Sequence, residues 1–230
     1  MSITIGTPKT TTDNLLFYLD ANNPRCYISG SSVCDNIIDK STEKVNTLTN
    51  GTSFNGSGFV FDGNDDYINL DLSNLTTTSN TYPYSVEILF KSDDISSNDR
   101  LFSKVNSIAS NDALSIGILS GGLPKLKLYD GNSEITTTNT IIANNVWYHH
   151  IITFNTTGTA VTSYLNGEFE LNTTVQPTAY INFSDMSLAA PYDLQFGGFW
   201  DGEISIFKIY NKELSQSDVT QNYNAIKSRM

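Results

Sequence analysis

The chain has 230 residues, of which 39% are hydrophobic, 11% aromatic and 16% charged, a length that suits one large all-β domain or two small ones. Asn, Ser and Thr make up about a third of the residues, well above ordinary usage, while 12 Tyr and 12 Phe supply the large apolar groups that disordered polar tracts lack. The formal net charge of −11 and pI near 4.4 argue against nucleic acid or an anionic membrane as partner, and no apolar run reaches the roughly 18–20 residues of a membrane span.

Met1–Asn14 is polar and Thr-rich, with Pro8, and reads as an extended N-terminal arm. It has no apolar core of the signal-peptide kind. The expectation is therefore a chain that stays in the cytoplasm or leaves by another route, such as assembly into a particle. Leu15–Leu19 is a short buried-strand pattern, and the stretch from Asp20 to Asn50 is rich in turn residues. Cys26 and Cys34 lie within it; two cysteines form neither a disulfide framework nor a zinc ligand set, and reduced thiols are expected.

From there strand signals recur every 8 to 14 residues. In Tyr84–Phe90, Tyr84, Val86, Ile88 and Phe90 share one face, and Ser85 and Glu87 the other. Leu126 and Leu128 alternate with polar neighbours before Asp130-Gly131, a tight-turn pair. Trp147–Phe154 is apolar on both faces, so a central strand is expected. Val161–Leu165 runs through Asn166-Gly167, the strongest hairpin signal in the chain, into Phe169 and Leu171. Ile204–Tyr210 is a second two-sided apolar strand. The pattern turns helical over about 215–228, with Val219, Tyr223 and Ile226 on one side. Ser215 and Asp218 have capping-box spacing, and Lys227 and Arg229 suit the end of the helix dipole. The sequence reads as about a dozen strands in one domain over 15–230, with a short terminal helix.

Five blocks then resemble, in order, the concanavalin A-like (laminin-G-like) family. They are Leu16-Phe17-Tyr18-Leu19-Asp20-Ala21 with Asn23-Pro24; Phe59-Val60-Phe61-Asp62-Gly63-Asn64-Asp65-Asp66-Tyr67-Ile68; and Leu101-Phe102-Ser103-Lys104. The fourth is Trp147-Tyr148-His149 with Tyr164-Leu165-Asn166-Gly167, and the fifth Gly202-Glu203-Ile204 with Ile209-Tyr210-Asn211-Lys212-Glu213-Leu214-Ser215. The resemblance covers about residues 15–225 and implies an all-β fold, a two-sheet antiparallel jelly-roll sandwich. Phe61, Val86, Ile88, Ile152, Phe154, Leu165, Ile204 and Ile206 are expected to be largely buried.

The fold leaves function open, so chemistry must come from residues. Glycanases of the family place carboxylates two apart on a strand. Glu168 and Glu170 have that spacing but follow a turn, where a solvated edge accounts for them. His149 and His150 are adjacent and point to opposite faces of a strand. No catalytic set emerges, and the protein is read as no enzyme. Relatives often hold a structural calcium, for which Asp20, Asp62 and Asp66 are the candidate ligands. The loop opening at Asp62 begins like a calcium loop but lacks its glycine and bidentate glutamate, and turn formation alone also explains it. For a glycan, Tyr192, Trp200 and Asp201 are the candidates, with Phe199 and Trp200 equally readable as core.

The chain closely resembles laminin-G-like modules seen in tailed-phage virion proteins. That resemblance implies a capsid decoration protein on the virion surface, with the major capsid protein or other virion proteins as partners and self-association into a homo-oligomer. The alternative is a carbohydrate- or receptor-binding module of a tail fibre or bacterial surface.

Overall fold

The structure, a computed structural model, describes residues 9–38, 46–72, 83–96, 98–104, 114–118, 123–129, 133–175, 186–191 and 198–230. In chain order the strands are β1 (Leu15–Asp20), β2 (Val33–Cys34), β3 (Asn46–Thr49), β4 (Ser53–Phe54), β5 (Phe59–Asp62), β6 (Tyr67–Leu70), β7 (Tyr84–Ser92) and β8 (Asp99–Lys104). They continue as β9 (Ser115–Ile118), β10 (Lys127–Tyr129), β11 (Glu134–Thr136), β12 (Trp147–Phe154), β13 (Ala160–Leu165), β14 (Glu168–Thr174), β15 (Met186–Leu188) and β16 (Asp201–Tyr210). Helix α1 (Gln216–Ile226) and a 3-10 turn at Lys227–Arg229 close the chain.

Among the described residues the strands form two eight-stranded antiparallel sheets. The first runs β14-β13-β12-β7-β16-β5-β4, with β1 continuing the edge of β16 beyond β5. The second runs β11-β10-β9-β8-β15-β6-β3-β2. This is the expected two-sheet sandwich. Its core takes one face from each sheet: Phe61, Val86, Ile88, Phe90, Ile152, Phe154 and Ile204 from the first meet Ile68, Leu70, Phe102, Ile116 and Leu188 from the second. Every residue expected from sequence to be largely buried is so. Burial of a side chain of this size contributes about 1.5–3 kcal/mol.

The two strands read as apolar on both faces, β12 and β16, are interior strands, as that pattern requires. The β13–β14 hairpin turns on Asn166 (φ 52°) and Gly167 (φ 85°), both in the left-handed region a tight hairpin needs. Gly167 is also compelled by packing, because a Cβ there would lie 2.8 Å from Tyr223 Cδ1. Asp130-Gly131 lies outside the described residues.

The outer face of the first sheet departs from the sequence reading. Ser85 and Glu87, expected on a polar face, are buried. The segment before helix α1 covers Ser85, whose Oγ donates to Lys212 O and accepts from Leu214 N. The helix covers Glu87, with Val219 packing beside Leu15, Ile151, Tyr210 and Leu214 and Ile226 beside Leu89 and Ile206. The helix starts at the expected capping box: Ser215 Oγ accepts from Asp218 N and the Asp218 carboxylate accepts from Ser215 N.

Under the helix lies a buried polar cluster. Glu87 Oε1 accepts from Lys208 Nζ at 2.7 Å and lies 3.1 Å from His149 Nε2. Its Oε2 accepts from Tyr210 Oη at 2.9 Å and Asn222 Nδ2 at 2.7 Å. Burial alone would push the Glu87 carboxyl up, but Lys208 and His149 beside it hold it down at about 2. The same burial, with the Glu87 charge beside it, pushes the Tyr210 phenol far up.

The second half of the expected N-terminal arm is part of this cluster. Thr11 N and Thr10 Oγ1 donate to Asn222 Oδ1, at 2.7 and 2.9 Å, and Gln221 Nε2 donates to Lys9 O. The arm read as Met1–Asn14 is thus fastened to the body from Lys9 onward, because its threonines satisfy a buried amide. Residues 1–8 lie outside the described set.

Candidate functional site

Three loops and the chain's end meet in an open cleft of about 650 Å³, lined by Asp20, Asn22, Asn23, Pro24, Gly56, Ser57 and Arg229. The turn after β1 is set locally: Asn22 N donates to Asp20 Oδ1 and Asn23 N to Asp20 O. Arg25 N then donates to Asn23 Oδ1, an Asx turn.

The opposite wall is placed by a bulge in β16. Register with β7 shifts between Ile204 and Ile206, so Ile204 packs in the core while Ile206 faces the helix. Ser205, the bulged residue, turns its hydroxyl to the cleft. It donates to Ser57 O at 2.7 Å and accepts from Arg229 Nη2 at 2.8 Å and Asn22 Nδ2 at 3.2 Å.

Arg229 grips Asp20 with both nitrogens, Nη2 to Oδ1 at 2.8 Å and Nη1 to Oδ2 at 3.0 Å, while Tyr18 Oη donates to Oδ2 at 3.1 Å. Beyond Ser57, whose Oγ lies 2.6 Å from Glu203 Oε2, Glu203 pairs with Lys91. Lys91 Nζ sits 5.6 Å above the half-buried Trp147 ring, and Trp147 borders Gly58, the residue after Ser57. Burial would raise Glu203, but its bonds with Lys91 and Ser57 hold it below the usual carboxylate range. The cleft is lined by amide, hydroxyl and charged groups with Pro24 as its apolar wall, and the half-buried Trp147 lies beyond Gly58, outside that lining.

The candidates from sequence are distributed differently. Of the proposed calcium ligands, Asp20 belongs to this cleft, and its two oxygens are taken by Arg229. Asp62 and Asp66 come together instead with Asp65, their nearest carboxylate oxygens within 4.8 Å of one another. Those groups are engaged by the chain itself. Asp66 accepts from Gly51 N and Asp62 N, and Asp62 accepts from the Asn64 backbone and side chain. The Asn64 bonds hold Asp62 down, whereas burial raises Asp66. These bonds shape the turn that brings the three carboxylates together.

Of the glycan candidates, Trp200 is fully buried, edge-on to Phe90 at 5.5 Å between ring centroids, so it is core and offers no face to a ligand. Asp201 pairs across the sheet with Asp62; burial and the neighbouring Asp93, Asp94 and Asp62 raise it. Tyr192 lies outside the described residues. Glu168 is exposed and Glu170 accepts from Asn139 N, Thr140 N and Thr140 Oγ1, a structural staple. His149 and His150 point to opposite faces as expected: His149 to Glu87, and His150 to Ser163 Oγ at 2.9 Å. Cys26 and Cys34 are free and buried, the Cys34 thiol pushed up by its bond with Cys26 and by burial.

With fold and cleft in view, comparison places the chain. The sequence model described as the concanavalin A-like lectin/glucanases superfamily matches residues 62–220, and the protein belongs to that superfamily. No curated protein matches the sequence. Among solved structures it is similar to domain 4 of AbnA, a GH43 extracellular arabinanase from Geobacillus stearothermophilus, in complex with arabinotriose. The TM-score is 0.62 at 19% identity, covering 91% of this chain and 98% of that domain. It is similar to the CBM40 of the Ruminococcus gnavus IT-sialidase bound to α2,3-sialyllactose (TM-score 0.52, 15% identity, 71% of this chain and 95% of that one). It also matches Trypanosoma rangeli sialidase in complex with sialic acid (TM-score 0.64, 11% identity, 94% of this chain), spanning 33% of that protein. At these identities the likeness is one of fold, and the fold is of the lectin and carbohydrate-binding type.

Proposed function

We propose that the protein is a non-catalytic module that binds a neutral glycan in the cleft between Asn22, Ser57 and Arg229. The observation that carries this reading is the cleft's charge balance. Its one lining cation, Arg229, is bound to its one lining carboxylate, Asp20, so hydroxyl-bearing ligands are favoured over charged ones. Asn22 and Asn23 supply amide donors and acceptors, and Trp147 supplies a ring edge on which a sugar can rest. Support also comes from the fold, since the arabinanase domain is in complex with arabinotriose and the sialidase module bound to sialyllactose.

The absence of enzymatic activity belongs to the same reading. Hydrolysis of a glycoside needs two carboxyl groups facing one sugar, and Asp20 is a single carboxylate neutralised by an arginine. The setting in which we place the module is the surface of a tailed-phage particle, as decoration of the head. Its support is the sequence resemblance and the net charge of −11, which keeps particles apart.

Titration calorimetry with arabino-, xylo- and gluco-oligosaccharides, with sialyllactose as the acidic arm, tests the binding reading. Binding of a neutral sugar that weakens at least tenfold in Asn22→Ala is expected; no binding to any arm overturns it. Co-sedimentation with particles lacking the protein tests the setting.

A further inference from the structure

We propose that Lys208 and Asn222 join covalently: an amide bond forms between Lys208 Nζ and Asn222 Cγ with loss of ammonia, promoted by Glu87, and fixes the C-terminal helix to the sheet. The inference is independent of the cleft. It rests on four features of the cluster under α1.

The nucleophile and the leaving group share one carboxylate. Lys208 Nζ donates to Glu87 Oε1 at 2.7 Å and Asn222 Nδ2 donates to Glu87 Oε2 at 2.7 Å. The oxygen on which negative charge would develop, Asn222 Oδ1, already accepts two bonds, from Thr11 N at 2.7 Å and Thr10 Oγ1 at 2.9 Å. Donors so placed stabilise a tetrahedral oxyanion. Thr10 Oγ1 also accepts from Lys208 Nζ at 2.8 Å, so one hydroxyl ties the amine to the carbonyl it would attack. Finally, Glu87, Lys208 and Asn222 are all fully buried. Burial excludes the water that would compete and holds the groups at high effective concentration.

The step balances without an outside reagent. A proton passes from Lys208 Nζ to Glu87, leaving a free amine and a carboxylic acid. The nitrogen lone pair attacks Asn222 Cγ, and the Oδ1 charge is held by Thr10 and Thr11. The attacking nitrogen gives up a second proton and Nδ2 gains one, the Cγ–Nδ2 bond breaks, and ammonia departs. It carries off the proton held by Glu87 as ammonium, which restores the carboxylate. No oxidation or reduction occurs. Because β7, β16, α1 and the Thr10–Thr11 segment meet only in the folded chain, the reaction follows folding.

The decisive measurement is the intact mass of the full chain, denatured after a long incubation in its folded state, followed by peptide mapping. We expect a mass about 17 Da below that of the sequence, the mass of one ammonia, and a branched peptide joining the segment of Lys208 to that of Asn222. Glu87→Gln and Lys208→Arg, each checked for β-type circular dichroism, are expected at their full mass. Full mass in the unaltered protein overturns the proposal whether or not the variants fold. So does a loss of about 17 Da without a branched peptide, which marks a cyclic imide at an asparagine.

Discussion

Arg229, next to last in the chain, holds both carboxylate oxygens of Asp20 at the end of the first strand, at 2.8 and 3.0 Å. The contact ties the chain's end to the turn that opens the cleft, so one ion pair serves both fold and site. Bidentate arginine–carboxylate geometry is the stronger kind, but the side chains are 27% and 10% exposed, and water screens part of its strength. Arg229→Gln should lower stability by about 1 kcal/mol and weaken glycan binding more than stability alone accounts for. Denaturant unfolding and calorimetry on the same samples separate the two; an affinity unchanged in Arg229→Gln would remove the residue from the site.

The two tryptophans should behave oppositely. Trp200 is fully buried against Phe90, and Trp200→Ala should cost about 3–5 kcal/mol through lost packing. Trp147 is half-buried at the cleft's flank under Lys91. Trp147→Ala should cost less in stability and should lower glycan affinity at least tenfold. Thermal melts with titrations on both variants check this; an affinity loss confined to a folded Trp200 variant would reverse the assignment.

The sandwich was legible because its signals are local. The alternation in Tyr84–Phe90, the Asn166-Gly167 turn and the two-sided apolar strands each fix a strand by themselves. The capping box at Ser215 and Asp218 marked the helix start for the same reason. The site was legible only in part. Asp20, Asn23 and Pro24 stood out as a motif, but their meeting with Ser57, Ser205 and Arg229 depends on long-range pairing and on the bulge at Ser205. Glu87 reads as solvent-facing because alternation shows two faces and cannot show that a helix more than a hundred residues later covers one. Trp200 reads as core or platform alike, since composition does not fix depth.

Acid should unfold the protein in two stages. Burial, with His149 beside it, lowers His150 from 6.5 to about 3. The native state keeps that ring neutral, so its contribution is full above the unfolded value and is lost as pH falls from 6.5 toward about 3. In the chain before Lys208 and Asn222 join, Glu87 is held at about 2 against an ordinary 4.5, so its contribution is full above 4.5 and is lost as pH falls from there toward about 2. Between pH 6 and 5, stability should drop with a slope approaching about 1.4 kcal/mol per pH unit from His150. His150→Gln should flatten that part of the curve and leave the steeper loss below pH 4.5. Urea midpoints across this range measure it; an unchanged slope in the variant would show that His150 titrates normally.

Two glycines with nearly equal φ allow strain and packing to be weighed apart. Gly30 (φ 86°) has nothing within 4 Å of an added Cβ, whereas at Gly167 (φ 85°) the Cβ would lie 2.8 Å from Tyr223 Cδ1. Gly30→Ala should therefore cost only the left-handed penalty, about 1–2 kcal/mol. Gly167→Ala adds displacement of Tyr223, whose ring stacks on His149 at 6.0 Å, and should cost at least about 1 kcal/mol more. Adding Tyr223→Ala should recover most of that excess, because the smaller side chain vacates the space. The measurement is urea unfolding of the two single variants and the double. Equal costs for Gly30→Ala and Gly167→Ala would mean that Tyr223 swings aside freely and that the helix is not tightly seated on the hairpin.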